Sequence, residues 1–253
     1  MFGNILKAVV PVAIILFCGA VAGCTGRDVT INGKEGVPLA ELDQRGAAPT
    51  ELVVAANARV FLTTGDSMEI AVEGDTQDAL RFVLEENTLG ITLAEGRKIE
   101  NGEAIVRVTM PAPTSLVMAG TSRIVAQTVA SGAEIVVGGA GKIDLGTVSS
   151  DKLEITIGGS GSVIGLGKTS QLEINIGGSG SVDMPGLEAD RADISIGGSG
   201  NVAFASNGKV DATIAGSGNV TVIGSATCEV KTFGSGKLTC RPATRPGDTS
   251  PED

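Results

Sequence analysis

After Pro111 and Pro113 the chain settles into short bursts of alternating apolar and polar residues, each ending in a cluster of glycines. The clearest units are Ile135-Val136-Val137-Gly138-Gly139-Ala140-Gly141 and Ile155-Thr156-Ile157-Gly158-Gly159-Ser160-Gly161. Ile174 to Gly180, Ile194 to Gly200, Ala212 to Gly218 and Val230 to Gly236 follow, and Leu116 to Ile124 reads as a degenerate first unit. The closing glycines, Gly141, Gly161, Gly180, Gly200, Gly218 and Gly236, stand 18 to 20 residues apart. Alternation of period two is the pattern of a strand with one buried face. A fixed longer period superimposed on it is the signature of a stacked solenoid.

Aligning the units on their last glycine turns the repeat into columns. Four residues earlier stand Val137, Ile157, Ile176, Ile196, Ile214 and Thr232, and two before those stand Ile135, Ile155, Ile174, Ile194, Ala212 and Val230. Two after the glycine come Ile143, Val163, Val182, Val202, Val220 and Leu238. A coil of a solenoid buries its inward face only against its neighbours, so near-identity from unit to unit is what stacking demands. The predicted fold is therefore all-β, a right-handed parallel β-helix of 18–20-residue coils with Gly-Ser-Gly corners. The hand follows from the preference for right-handed crossovers between parallel strands, and the corner glycines supply positive φ and close backbone approach.

Upstream, the runs Leu52-Val54, Val60-Leu62, Met68-Val72, Leu89-Leu93 and Ile105-Met110 read as strands by their period and their Gly, Asp and Asn punctuation. Asp78 to Leu84 fits a short helix or a strand equally well. Gly26 to Thr50 is polar and turn-rich, with Asn32-Gly33 as a hairpin signal between Val29-Ile31 and Val37-Leu39; it reads as a tether that lends a strand to the domain. The organisation expected is a leader over 1–23, a tether over 24–50, a β-helix over 51–240 and a Pro-, Thr- and Asp-rich disordered tail over 241–253. Within the β-helix, 51–110 holds the N-terminal strands and 111–240 the repeating coils.

The stretch Val60-Phe61-Leu62-Thr63-Thr64-Gly65-Asp66 to Val72-Glu73-Gly74 carries a resemblance, together with the Leu89-Leu93 strand, the Val108-Thr109-Met110-Pro111 step and the repeated Gly-Ser-Gly corners. In this order they resemble the GIN-type putative autotransporter adhesin head domain family, over roughly Glu51 to Thr239. The resemblance implies an exported β-helical protein with an envelope or surface role and brings no catalytic residues with it.

The first residues resemble a lipoprotein leader. Lys7 precedes an apolar run from Ala8 to Ala22, which ends in Val21-Ala22-Gly23-Cys24. The run is too short and too rich in small residues at its end for a membrane span. The tetrad is similar to the bacterial lipobox, which implies cleavage before Cys24, diacylglyceryl modification of its thiol, and a lipid-anchored cell-envelope protein. Thr25 in place of an aspartate is compatible with sorting to an outer membrane in a cell that has one. Loss of Lys7 with the leader takes the net charge from −10 to −11. An acidic body argues against nucleic acid and against adsorption to anionic head groups, so the membrane partner is reached through Cys24 alone.

The chain contains no His, Trp or Tyr. Histidine-dependent triads and most zinc sites are thereby excluded. So are the favoured stacking platforms for sugar rings, leaving Phe61, Phe82, Phe204 and Phe233 after the leader. Gly161 to Thr169 nearly spells a phosphate loop, but the spacing is one residue too long and no helix pattern follows. The corner glycines lack both the βαβ context of dinucleotide binding and the aspartates of calcium-binding nonapeptide repeats.

Two features remain. Seven residues before each last glycine stand Glu134, Glu154, Glu173, Asp193, Asp211 and Glu229, facing outward and about 4.8 Å apart up one side of the stack. Such a row suits a divalent cation or a cationic partner, or else is a solvated face whose neighbours two residues earlier in each coil, Lys152, Gln171, Arg191 and Lys209, pair in-strand with Glu154, Asp193 and Asp211 or diagonally with adjacent coils. Cys228 and Cys240 fall in inward columns of the final coil, and in an oxidising compartment they are expected to form a disulfide. The functional expectation is a non-catalytic, lipid-anchored display or scaffold domain for adhesion or envelope interaction. The alternatives are a periplasmic cation- or polysaccharide-binding module and, third, a β-helical polysaccharide-degrading enzyme. No catalytic residue is assigned, and the only cofactor entertained is a divalent cation.

Overall fold

A computed structural model describes residues 30–31, 33–99 and 102–242. The leader, Cys24 and residues 243–253 lie outside the described residues. The rest is a parallel β-solenoid of about seven turns with coils of about 19 residues. Its early strands are β1 (Glu51–Ala55), β2 (Ala58–Thr64), β3 (Glu69–Glu73), β4 (Leu80–Glu85), β5 (Thr88–Leu93) and β6 (Ala104–Met110). Then come β7 (Ser115–Gly120), β8 (Arg123–Ala126), β9 (Ala133–Gly139), β10 (Lys142–Gly159), β11 (Ser162–Gly178) and β12 (Ser181–Gly198). The stack finishes with β13 (Asn201–Gly216), β14 (Asn219–Ile223), β15 (Thr227–Gly234) and β16 (Lys237–Arg241).

Every sequence column is a register column. Ile155 pairs with Ile135 below and Ile174 above, and Ile157 with Val137 and Ile176. Ile143 and Val163 continue the second wall. These side chains are fully buried, and each contributes on the order of 1.5–3 kcal/mol of transfer free energy. A third, shorter side completes the coil, and there the register slips between Asp144 and Thr147, Ile164 and Leu166, and Met184 and Glu188.

The N-terminal strands belong to the same stack, in an order the repeat does not reveal. β1 pairs in parallel with β5 on one side and β7 on the other, and β2 does so with β6 and β8. The first coil of the chain is thus enclosed between two later ones. Its Leu52 and Val54 extend the isoleucine columns to Leu89 and Ile91. Beyond that coil β3 runs antiparallel on β6 and β4 antiparallel on β5, closing this end. The ambiguous 78–84 segment resolves as both readings: a 3-10 turn over Gly74–Ala79 leads into β4.

The tether does lend backbone to the domain. Val37 and Phe82 exchange N–H···O bonds of 2.9 and 2.8 Å, and Ile31 and Lys34 form an antiparallel bridge. Ile31 is fully buried on the outward face, against Val53, Val83 and Val117. Gly90 makes room for it, since a Cβ there would lie 2.3 Å from the Ile31 Cδ1 atom.

The two corner glycines differ in role. The second of each pair, such as Gly159, Gly178 and Gly198, has φ between 138° and 146°. Its carbonyl accepts the N–H of a serine one coil on, as in Ser179 to Gly159 at 2.9 Å. The first of each pair, such as Gly158, has open space where a Cβ would stand.

Candidate functional site

The outward face of the wall β5-β1-β7-β9-β10-β11-β12-β13-β15 carries the acidic row. Glu134, Glu154, Glu173, Asp193, Asp211 and Glu229 occupy one register column, as expected. The column also continues upstream: Ser115 lies under Glu134, and Glu51 under Ser115. Glu51 went unrecognised in the sequence because Ser115 interrupts the row and Glu51 belongs to a coil outside the repeat's order.

Two lysines interrupt the repulsion. Lys152 Nζ lies 3.0 Å from Glu154 and 3.1 Å from Glu173, bridging two coils. Lys209 Nζ lies 3.1 Å from Asp211 and 3.6 Å from Glu229. Hydrogen bonds to Glu154 and Glu173 hold the Lys152 ammonium above its ordinary pKa, and a bond to Asp211 does the same for Lys209. The pairs are partly exposed and screened by solvent, so each adds little to stability. Among the described residues, no group of three His, Cys, Asp or Glu side chains converges as metal ligands. From Glu134 onward the row presents one carboxylate per rung, with a lysine bridging two of its steps.

Glu134 is the exception on this row. Burial, with Glu154 and Glu51 on either side, raises its pKa above the ordinary carboxylate value. A carboxyl raised in the folded state binds its proton more tightly there than in the unfolded chain. Its ionisation therefore costs stability as pH rises through the folded value, and costs nothing below the unfolded one. Glu134→Gln is expected to raise the melting temperature at pH 7, by less than about 1 kcal/mol in stability, and to leave it unchanged near pH 3. An equal shift at both pH values would contradict the charge argument.

Beside the acids runs a column that is apolar at Val53, Val117 and Val136, then small and polar at Thr156, Asn175, Ser195 and Thr213, and ends in Lys231. An open trough of about 500 Å³ lies between Asp193, Asp211 and Glu229 and this column. A smaller recess of about 260 Å³ by the tether mixes Glu35, Arg81, Glu95 and Arg97. There the Arg81 guanidinium donates to the Asp78 and Leu80 carbonyls, so backbone groups already hold this arginine.

At the far end a disulfide joins Cys228 to Cys240, with Cα atoms 6.8 Å apart. The pairing agrees with the sequence reading, but the burial does not. Cys228 is half-buried and Cys240 exposed, because no described residue stacks on the last coil.

The family described as "Putative auto-transporter adhesin, head GIN domain" matches residues 48–226. The fold is shared with crystal structures of a putative adhesin from Bacteroides fragilis NCTC 9343 and another from Parabacteroides merdae ATCC 43184. The first is 18% identical with a TM-score of 0.69, over 77% of this chain and 92% of that one. The second is 17% identical with a TM-score of 0.62, over 78% and 92%. A putative lipid binding protein from Parabacteroides distasonis ATCC 8503, 18% identical with a TM-score of 0.55 over 77% and 93%, has the same architecture. A comparison with curated proteins finds no match.

Proposed function

Since the chain belongs to the putative auto-transporter adhesin head GIN domain family, we propose that it is a non-catalytic display domain of the cell envelope, lipid-anchored through Cys24. The observation that carries this reading is the polarity of the solenoid. The chain enters at the closed end, where Ile31 fastens the tether beside β1 and β4. At the opposite end no described residue covers the last coil. The wall between spans nine strands, or roughly 38 Å at 4.8 Å per step. An anchor at Cys24 would stand the rod on the membrane by its closed end and hold its open end outward. The acidic flank keeps such rods apart from one another and from anionic head groups.

The anchor is tested directly. Cys24→Ala is expected to leave a larger precursor that no longer incorporates labelled fatty acid, and unchanged labelling would remove the lipid anchor. Protease shaving of intact cells then separates surface display, where the domain is digested, from periplasmic placement, where it is protected.

A further inference from the structure

We propose that the open end of the solenoid, formed by β15 and β16, receives an extended segment of an acidic partner protein as its next rung. The inference deepens the display reading by naming the surface and the partner's chemistry, and rests on it only for which end faces outward.

Four observations meet there. Among the described residues β15 pairs only with β13 and β16 only with β14, so each offers a row of main-chain groups on its outer side, the feature to which an added strand binds. The inward columns are uncovered at this rung: Val230 is 47% exposed and Phe233, beside them on the outward face, 71%. In the coils below, the same inward positions are filled. Charge reverses as well. Residues 30–226 hold 24 Asp and Glu against 13 Lys and Arg, whereas 227–242 hold only Glu229 against Lys231, Lys237 and Arg241. Lys231 in particular takes the place of Thr156, Asn175, Ser195 and Thr213 in its column. Finally, the one disulfide among the described residues ties β15 to β16, which keeps the last coil formed with no described residue above it and spares a partner the cost of ordering it.

The opposite end shows what closure looks like in this molecule, where antiparallel β3 and β4 cover the first coils. Residues 243–253 contain no Val, Ile, Leu, Met or Phe that could lay an apolar side chain over Val230 and Leu238. A second copy would bring Lys231, Lys237 and Arg241 against their own kind. A strand alternating apolar and acidic residues satisfies all the demands at once, its apolar side over Val230, Thr232 and Leu238 and its carboxylates beside Lys231.

The test uses the chain from Thr25 onward, which keeps every described residue, and labelled, end-blocked peptides alternating valine with glutamate. Three further probes accompany it: the same composition in scrambled order, valine alternating with lysine, and polygalacturonate. Fluorescence anisotropy is expected to show binding of the Val-Glu peptide alone, weakened at least tenfold by combined Lys231→Glu, Lys237→Glu and Arg241→Glu with an unchanged melting temperature. Thr232→Pro, which blocks the outer edge, gives a second variant should the first misfold. Equal binding of the scrambled peptide or of polygalacturonate would reduce the site to a cationic patch and overturn the proposal. So would absence of binding, concentration-dependent dimerisation through this end, or binding seen only after removal of 243–253. Loss of the Cys24 anchor leaves these solution measurements untouched, so either reading fails on its own.

Discussion

Gly178→Ala is expected to destabilise the protein by roughly 2–4 kcal/mol, while the same change one residue earlier, at Gly177, leaves stability within about 0.5 kcal/mol. Gly178 has φ 141°, which L side chains rarely adopt, and a Cβ there would stand 2.4 Å from the Gly159 carbonyl oxygen and 3.2 Å from its carbon. That oxygen accepts the Ser179 N–H at 2.9 Å, so relief of the clash would break the ladder at the corner. At Gly177 the nearest atom to an added Cβ is 4.0 Å away, and the alanine lowers unfolded-state entropy in its favour. The chain makes the same distinction itself: the Gly177 column continues to Ala215 and Phe233, whereas the Gly178 column stays glycine through Gly216 and Gly234. Urea or thermal denaturation of the two variants checks this, and equal losses would refute the division of labour between the paired glycines.

Opening the terminal staple is expected to cost nearly as much, but in one place. Changing Cys228 and Cys240 together to alanine removes a loop constraint worth about 3 kcal/mol on the loop-entropy estimate. Solenoid coils stabilise one another only through nearest neighbours, and among the described residues β15 and β16 have a neighbour on one side alone. Hydrogen exchange should therefore rise across 227–241 and stay slow at the buried Ile174 and Ile194 rungs. Unchanged protection over 227–241 would show that the last coil holds without its staple.

The coils were legible because stacking writes itself into sequence: a residue that must lie over Ile155 and under Ile194 is an isoleucine at Ile174, and the spacing follows. The disulfide was legible for the same reason, since both cysteines take columns set by the coils below. The order of the first coils was not. Nothing in the spacing of Leu52 and Leu89 says that β5 lies outside β1 while β7 lies inside it; that is decided by which pairings bury most surface, a long-range matter. The closing of that end by β3 and β4 was hidden for the same reason. Ile31 left a fainter trace. Val53, Val117 and Val136 are apolar in a column that is polar thereafter, and an outward apolar patch demands a cover. The acidic row was legible, with its lysines pairing either in-strand or diagonally with adjacent coils; the distances add that Lys152 and Lys209 each do both.

The direction of the hydrogen bonds has a mechanical consequence. They run along the solenoid, from each coil to the next, so tension between the closed end and the open end does not shear long strands against one another. Every interface in the stack bears the same pull, but the outermost described coil, held from one side, parts first and its bonds open in succession while those beneath stay paired. Each coil of about 19 residues pays out roughly 60 Å of chain when it peels. A rod built this way yields in a series of short, recoverable steps, and the Cys228–Cys240 bond sits on the coil where that unravelling would begin.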